Sequence, residues 1–173
     1  DSVMYWEYPF DTQKKIYVIK SEEELKHIVG EIYDAGYHDK LIIQDFIPNL
    51  TYDYKVLVFN KKYYVLKRFT KNGDFRASGS GKFAFEKVET ELLAYSKLIY
   101  ERFDEPIMGF DICYDGKNYF LIEFQGTHFG PYTLLNSKGY YELIDNNWEF
   151  INAKSNLDDE ISSSLLDYLK RKY

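Results

Sequence analysis

With a single cysteine, Cys113, the chain can form no internal disulfide, and the expected setting is a reducing, cytoplasmic one. Long apolar runs are missing as well. None approaches the ~18–20 residues of a membrane span and no secretory leader is visible, so no membrane partner is expected. Basic charge is also scarce: 22 Lys and Arg stand against 28 Asp and Glu, a net charge of -6. That excludes the broad cationic footprint that DNA or RNA requires, so no nucleic-acid partner is expected. Ser/His/Asp and Cys/His sets, zinc-ligand spacings and Walker-type loops are absent, which removes the familiar nucleophile, zinc and P-loop chemistries. With no internal repeat or low-complexity linker, residues 1–173 read as one domain, with a core over 15–135 and a C-terminal helical extension over 136–173. The chain starts at Asp1 in mid-pattern without an initiator Met, and reads as part of something longer.

What the chain has in excess is aromatic: 18 Tyr and 13 Phe. Tyr buries a ring while keeping its hydroxyl wet, which suits a small sheet with partly exposed faces. The first fifteen residues show no clean period and read as an irregular, aromatic-anchored segment. Ile16 to Ile19 is a short strand. Ser21 and Glu24 form a capping box, Leu25, Ile28, Val29 and Ile32 follow at helical spacing, and Gly36 is the stop. Leu41 to Ile47 is a strand ended by Pro48. Lys55–Asn60 and Tyr63–Phe69 pair as a hairpin, and 71–82 is a glycine-bearing loop. Glu86 to Phe103 is an amphipathic helix with Leu92, Leu93, Leu98 and Ile99 facing inward. Pro106–Tyr114 and Asn118–Gln125 form a second hairpin. A Gly/Pro-bearing loop follows, the tail turns polar, and Leu157 to Arg171 is a terminal helix. The fold class is α+β.

The chemistry concentrates in the second hairpin. Glu123 and Gln125, two apart on a strand, share a face. Asp111 interrupts the apolar run of Met108, Phe110 and Ile112, and an acid within a buried strand must be neutralised. Register decides by what. If the hairpin is centred on Lys117, Asp111 lies directly opposite Glu123, with Cβ atoms about 4.5–5.5 Å apart, close enough to share one cation. A tight two-residue turn at Asp115-Gly116 would instead turn Asp111 away. A hard divalent ion with oxygen ligands, Mg²⁺ above all, fits the first register; a backbone contact or a nearby Lys is the alternative partner for Asp111.

The order of "IIQDFIP", "DYKVLVFNKKYYVLKRF", "DFRASGSGK" and "GFDICYDGKNYFLIEFQG" resembles the second half of an ATP-grasp ligase. It is similar to the ribosomal-protein glutamate ligases, the D-alanine ligases and the large subunit of carbamoyl-phosphate synthase, over roughly residues 41–130. The resemblance implies a mostly antiparallel sheet with flanking helices, and Mg²⁺ and ATP as cofactors. Its partners would be a small carboxylate and an amine, joined through an acyl phosphate. The metal ligands would be Asp111, Glu123 and Gln125. Gln44, Asp45, Phe46 and Ile47 would edge the adenine pocket, the backbone carbonyl of Asp45 and the N–H of Ile47 meeting the base. Asp53 would meet the ribose hydroxyls, unless it is an ordinary exposed turn residue. Lys67 and Arg68 would face phosphates or the acyl-phosphate carboxylate, unless they form a solvated strand end. Arg76, after Phe75 and before a Gly/Ser-rich loop, resembles the family's "FR" motif and would be the catalytic cation; guanidinium grips two oxygens at once. Lys82 is a weaker candidate of the same kind.

The chain departs from the family at three places. Gln125 stands where Asn is common, and the loop "RASGSGK" lacks the usual basic residue and paired Gly. The glycine-rich flap and the phosphate-binding lysine would lie upstream of Asp1, in an N-terminal region of the same protein, so the 173 residues alone should bind ATP poorly and catalyse nothing. A non-catalytic nucleotide-binding or regulatory module with the same fold is therefore the second reading, and a plain interaction domain the third. His128, three residues after Gln125, could touch a substrate or be structural. His27 and His38 lack supporting partners, and Cys113 is most simply core.

Overall fold

The computed structural model describes residues 2–6, 15–38, 40–71 and 76–173, with backbone alone for 2–6 and 15. The chain forms two compact units, Asp1–Pro48 and Asn49–Tyr173. The first holds β1 (Ser2–Trp6), β2 (Lys15–Ile19), α1 (Glu22–Asp34) and β3 (Ile42–Asp45), with strand order β2-β1-β3 and antiparallel pairing throughout. Here the expected irregular start is corrected: Ser2–Trp6 is the central strand of this sheet, while 7–14 lie outside the described residues. Ser21 caps α1 as its spacing demands, its hydroxyl accepting from the Glu24 N–H at 3.1 Å. The Glu24 carboxylate reaches back to the N–H of Lys20 at 2.8 Å, one residue before the cap. At the other end Gly36 adopts φ 89°, a left-handed conformation that releases the chain from the helix. Ile28 and Ile32 then bury against Ile19, with Tyr17, Leu25 and Val29 packed around them.

The second unit is built on a larger sheet of β4 (Tyr52–Phe59), β5 (Lys62–Phe69), β6 (Phe83–Ala84), β7 (Ile107–Tyr114), β8 (Tyr119–Gln125), β9 (Tyr140–Ile144) and β10 (Asn147–Ile151). Its order is β10-β9-β5-β4-β7-β8, with β6 against β5, and every described pairing is antiparallel. With its flanking helices it makes the fold α+β, as the resemblance implies. One face carries Tyr54, Val56, Val58, Val65, Phe110 and Ile112, onto which α2 (Thr90–Tyr100) sets Leu92 and Leu93. This helix is shorter than the expected 86–103, and Leu98, expected to face inward, is 54% exposed. Residues 85–89 lead to it without regular secondary structure and bury Val88, whose N–H donates to the Tyr141 hydroxyl at 3.2 Å.

The stretch 136–173 is not the helical extension expected from its polarity. Its first half is the hairpin β9–β10, turned at Asp145 and Asn146 with φ 49° and 64°. That two-residue, left-handed turn matches the twist of paired strands. Only afterwards does α4 (Leu157–Lys172) begin, capped by the Asn156 side chain, which accepts from Asp158 and Asp159 at 2.9 and 3.2 Å. With the short α3 (Tyr132–Asn136), α4 lies on the second face of the sheet. Leu134, Leu157 and Ile161 meet Leu57, Phe59, Tyr64 and Ile107 there. Each such buried side chain contributes roughly 1.5–3 kcal/mol.

Candidate functional site

Along β4 the second face changes character. Asp53 and Lys55 precede Leu57 and Phe59 at the strand's period of two, so all four side chains share a face. Pairing sets Arg68 of β5 opposite Asp53, and Asp111 of β7 opposite Lys55. β8 then sets Glu123 opposite Asp111 and Gln125 opposite Gly109. Five ionisable side chains thus meet on one patch of sheet.

Four of them, Asp53, Arg68, Asp111 and Lys55, are linked by contacts. Arg68 donates Nε and Nη2 to the two oxygens of Asp53 at 2.6 and 2.8 Å, and Nη2 lies 2.9 Å from Asp111 Oδ2. Lys55 Nζ is 2.9 Å from Asp111 Oδ1, but out of line for a hydrogen bond, so this buried oxygen has a charge contact and no hydrogen bond. Gln125 donates its amide to Glu123. Asp53 and Asp111 are only 7% and 8% exposed. Burial raises the Asp53 carboxyl above its ordinary 3.8, against the downward pull of Arg68 and with help from the charge of Asp111. Burial also works against the Arg68 charge, but the Asp53 hydrogen bonds and the Asp111 carboxylate outweigh it and hold the guanidinium protonated. Three carboxylates face two cations, and Glu123 has no cationic partner among the described residues.

Asp111 opposes Glu123 by a route that neither hairpin register anticipates. The turn spans Asp115–Asn118, with Asp115 Oδ1 accepting from the N–H groups of Lys117 and Asn118 at 2.8 and 2.7 Å and Gly116 at φ 97°. This turn alone would leave the pairing one residue short. A bulge at Ile122 adds the missing residue between Ile112↔Leu121 and Asp111↔Glu123. Such an insertion re-aims the side chains beyond it. Gly109, across from Gln125, is fixed by space: a Cβ there would stand 2.8 Å from the Phe129 Cβ. The loop 126–131 therefore crosses directly over the strand beside the polar group.

The remaining candidates are distributed as follows. Asp53 is a buried strand residue, not an exposed turn, and both its oxygens are engaged by Arg68. Lys67 does not join the group: neighbours on a strand point to opposite faces, and Lys67 pairs with Glu86 at 2.7 Å and lies over the Tyr52 ring at 4.0 Å. Arg76 is exposed, directly after residues 72–75, which lie outside the description and include Phe75. Lys82 is exposed immediately before β6. Gln44 and Asp45 end β3, followed by Phe46 and Ile47, all in the first unit. His128 is exposed, its Nδ1 3.4 Å from Thr127 Oγ1, and His27 sits 3.4 Å from Glu31 along α1. Cys113 is fully buried and its thiol is pushed up to about 11, which makes it core.

Lys55 is the residue that sequence reasoning missed. Its signal was present: a lysine within an apolar strand, two residues after Asp53 and so on the same face. Applying to β4 the register arithmetic used for β7 and β8 would have found it.

Over 57 residues, 33% of its length, the chain is 40% identical to D-aspartate ligase from Enterococcus faecium (strain Aus0004). That relative is a ligase. The match spans 14% of its length, so the two correspond over a small part of the larger enzyme. No family model matches the chain.

Proposed function

We propose that this chain is part of an ATP- and Mg-dependent ligase of the ATP-grasp kind, joining a carboxylate to an amine or thiol through an acyl phosphate. The observation that carries the reading is Asp111 opposite Glu123, with Gln125 two residues on and Lys55 and Arg68 beside them. This donor set fits a hard cation. Its ligands are all oxygens, Asp111 Oδ1 is buried without a hydrogen bond, and the group carries one carboxylate more than its cations neutralise. Bound there, Mg²⁺ would neutralise β,γ-phosphate oxygens as the phosphoryl group moves. The partial likeness to a ligase supports the same reading.

Within it, the carboxylate substrate attacks the γ-phosphorus and ADP leaves; the amine then attacks the acyl carbon, loses a proton and displaces phosphate. Lys55 and Arg68 are assigned to phosphate oxygens, and Arg76 to the charge developing on the transferred group. Asp53 acts as a positioning residue, holding the Arg68 fork, rather than as a ribose contact. The protein is taken to work in the cytoplasm.

The test is ADP release by the full-length protein across amino acids and small carboxylates, D-aspartate first because the relative is named for it. Asp111→Asn and Glu123→Gln should each lower turnover by about 10²–10³-fold. Unchanged turnover would remove both residues from the site. One observation favours a second reading, a non-catalytic nucleotide-binding module: both Asp111 oxygens already contact cations of the chain itself. ATP binding without ADP release for any substrate would decide for it.

A further inference from the structure

The outer face of α4 carries a row of apolar side chains with opposite charges at its two ends. The helix is pinned to the sheet by its other side. Glu160 pairs with Lys62 at 2.7 Å, Asp167 accepts from Asn60 at 2.7 Å, Ser164 is buried, and Leu157 and Ile161 enter the core. That docking turns Leu165, Leu166 and Leu169 outward, where they are 43%, 56% and 48% exposed. Three leucines on one face of one helix form a patch beyond the scattered apolar exposure of an ordinary surface. Asp158, Leu165, Leu169 and Lys172 follow a 3–4 helical spacing, with Ser162 between the acid and the leucines, so they lie on one seam.

We propose that this seam is the contact of a homodimer in which α4 packs antiparallel against α4 of a second copy. The charges specify both the partner and the direction. Acids occupy the first turn (Asp158, Asp159) and cations the last (Lys170, Lys172). A two-fold axis at Leu165 therefore sets Leu165 against its own copy and brings Asp158 to the partner's Lys172. A parallel pair would set Asp158 against Asp158 and is repelled. Lys172 also contacts Asp104 of its own chain, at an exposed position where it can serve both acids. With one helix per copy the buried area is below that of a standard stable interface, so the association is weak and concentration-dependent. The inference does not rest on the ligase reading.

Sedimentation of the full chain over a wide concentration range should show a reversible dimer. Leu169→Glu should weaken it by about tenfold or more. Asp158→Lys should weaken it too, and adding Lys172→Asp should restore it. Leu165→Cys should yield a covalent dimer on mild oxidation, since Cys113 is buried and takes no part. A chain that stays monomeric at every concentration overturns the proposal, as does a dimer indifferent to Leu169→Glu. A monomer whose melting temperature falls with Leu165→Glu also overturns it, by showing that a segment of the same protein covers the face.

Discussion

The two halves of the second sheet face are made from the same strands, yet they contribute differently. One half is Leu57, Phe59, Tyr64 and Ile107 under α3 and α4, where burial alone accounts for every residue. The other is Asp53, Lys55, Arg68 and Asp111, largely withdrawn from water but ionic. Buried charges lose hydration that their mutual attraction only partly returns, and apolar replacements of such groups are often neutral or stabilising. Stability therefore explains the first half and does not explain the second. A sheet that could continue its apolar pattern for two more rungs carries charges instead, and that is the physical argument for function at that end.

The comparison can be broken most severely at Arg68, which holds two buried carboxylates. Arg68→Ala should destabilise the fold by about 3–5 kcal/mol in urea titrations, because buried Asp53 loses its hydrogen-bonded cation and Asp111 keeps Lys55 alone. Replacing Asp53, Lys55, Arg68 and Asp111 together by apolar residues of similar volume should restore most of that stability while abolishing the proposed Mg-ATP binding. If the all-apolar variant unfolds, the charged half is structural and the contrast between the halves fails. In the apolar half, Leu57→Ala should cost about 3 kcal/mol and leave nucleotide affinity within a few-fold of the parent. Between the halves, Gly109→Ala drives a methyl toward Phe129 and should cost about 1–3 kcal/mol. Its effect on ADP release should exceed that of Leu57→Ala, since the displaced loop follows Gln125 directly.

Much of this division could be seen in the residues themselves. Asp111 stood out as an acid in an apolar run, and Glu123 and Gln125 as a same-face pair. Ser21 and Glu24 announced α1, and the β-branched and aromatic runs of 55–60 and 63–69 around a short polar turn announced β4 and β5. Other features were hidden because they depend on pairing, not on composition. Whether a lysine stood beside Asp111 turned on which residue of β4 lay across from it, and that residue is Lys55. The bulge at Ile122 leaves no mark in a run of apolar residues, yet it determines which side chains oppose each other. Lys67 and Arg68, adjacent and alike, part to opposite faces by the strand period alone. The hairpin β9–β10 has a legible signal despite the polarity of the stretch: "YYELI" and "NWEFI" flank Asp145-Asn146, a two-residue turn pair.

The smallest expected effect tests the premise that the charged half works against stability. Burial and Arg68 pull Asp53 in opposite directions, and burial prevails, so the folded carboxyl binds its proton more tightly than the unfolded one at 3.8. Where the folded state holds more protons, stability falls as pH rises. At this residue, then, acidification through the window from 3.8 up to the raised value favours the fold, opposing the general acid destabilisation. Asp53→Asn removes that term and keeps a hydrogen-bond acceptor for Arg68. The stability of the variant, measured by urea unfolding between about pH 3 and pH 7, should therefore fall more steeply on acidification than that of the parent. A steeper fall in the parent would mean that the Arg68 fork outweighs desolvation. In that case the ionic end of the face stabilises the sheet as the apolar end does, and its charges would no longer need a ligand to explain them.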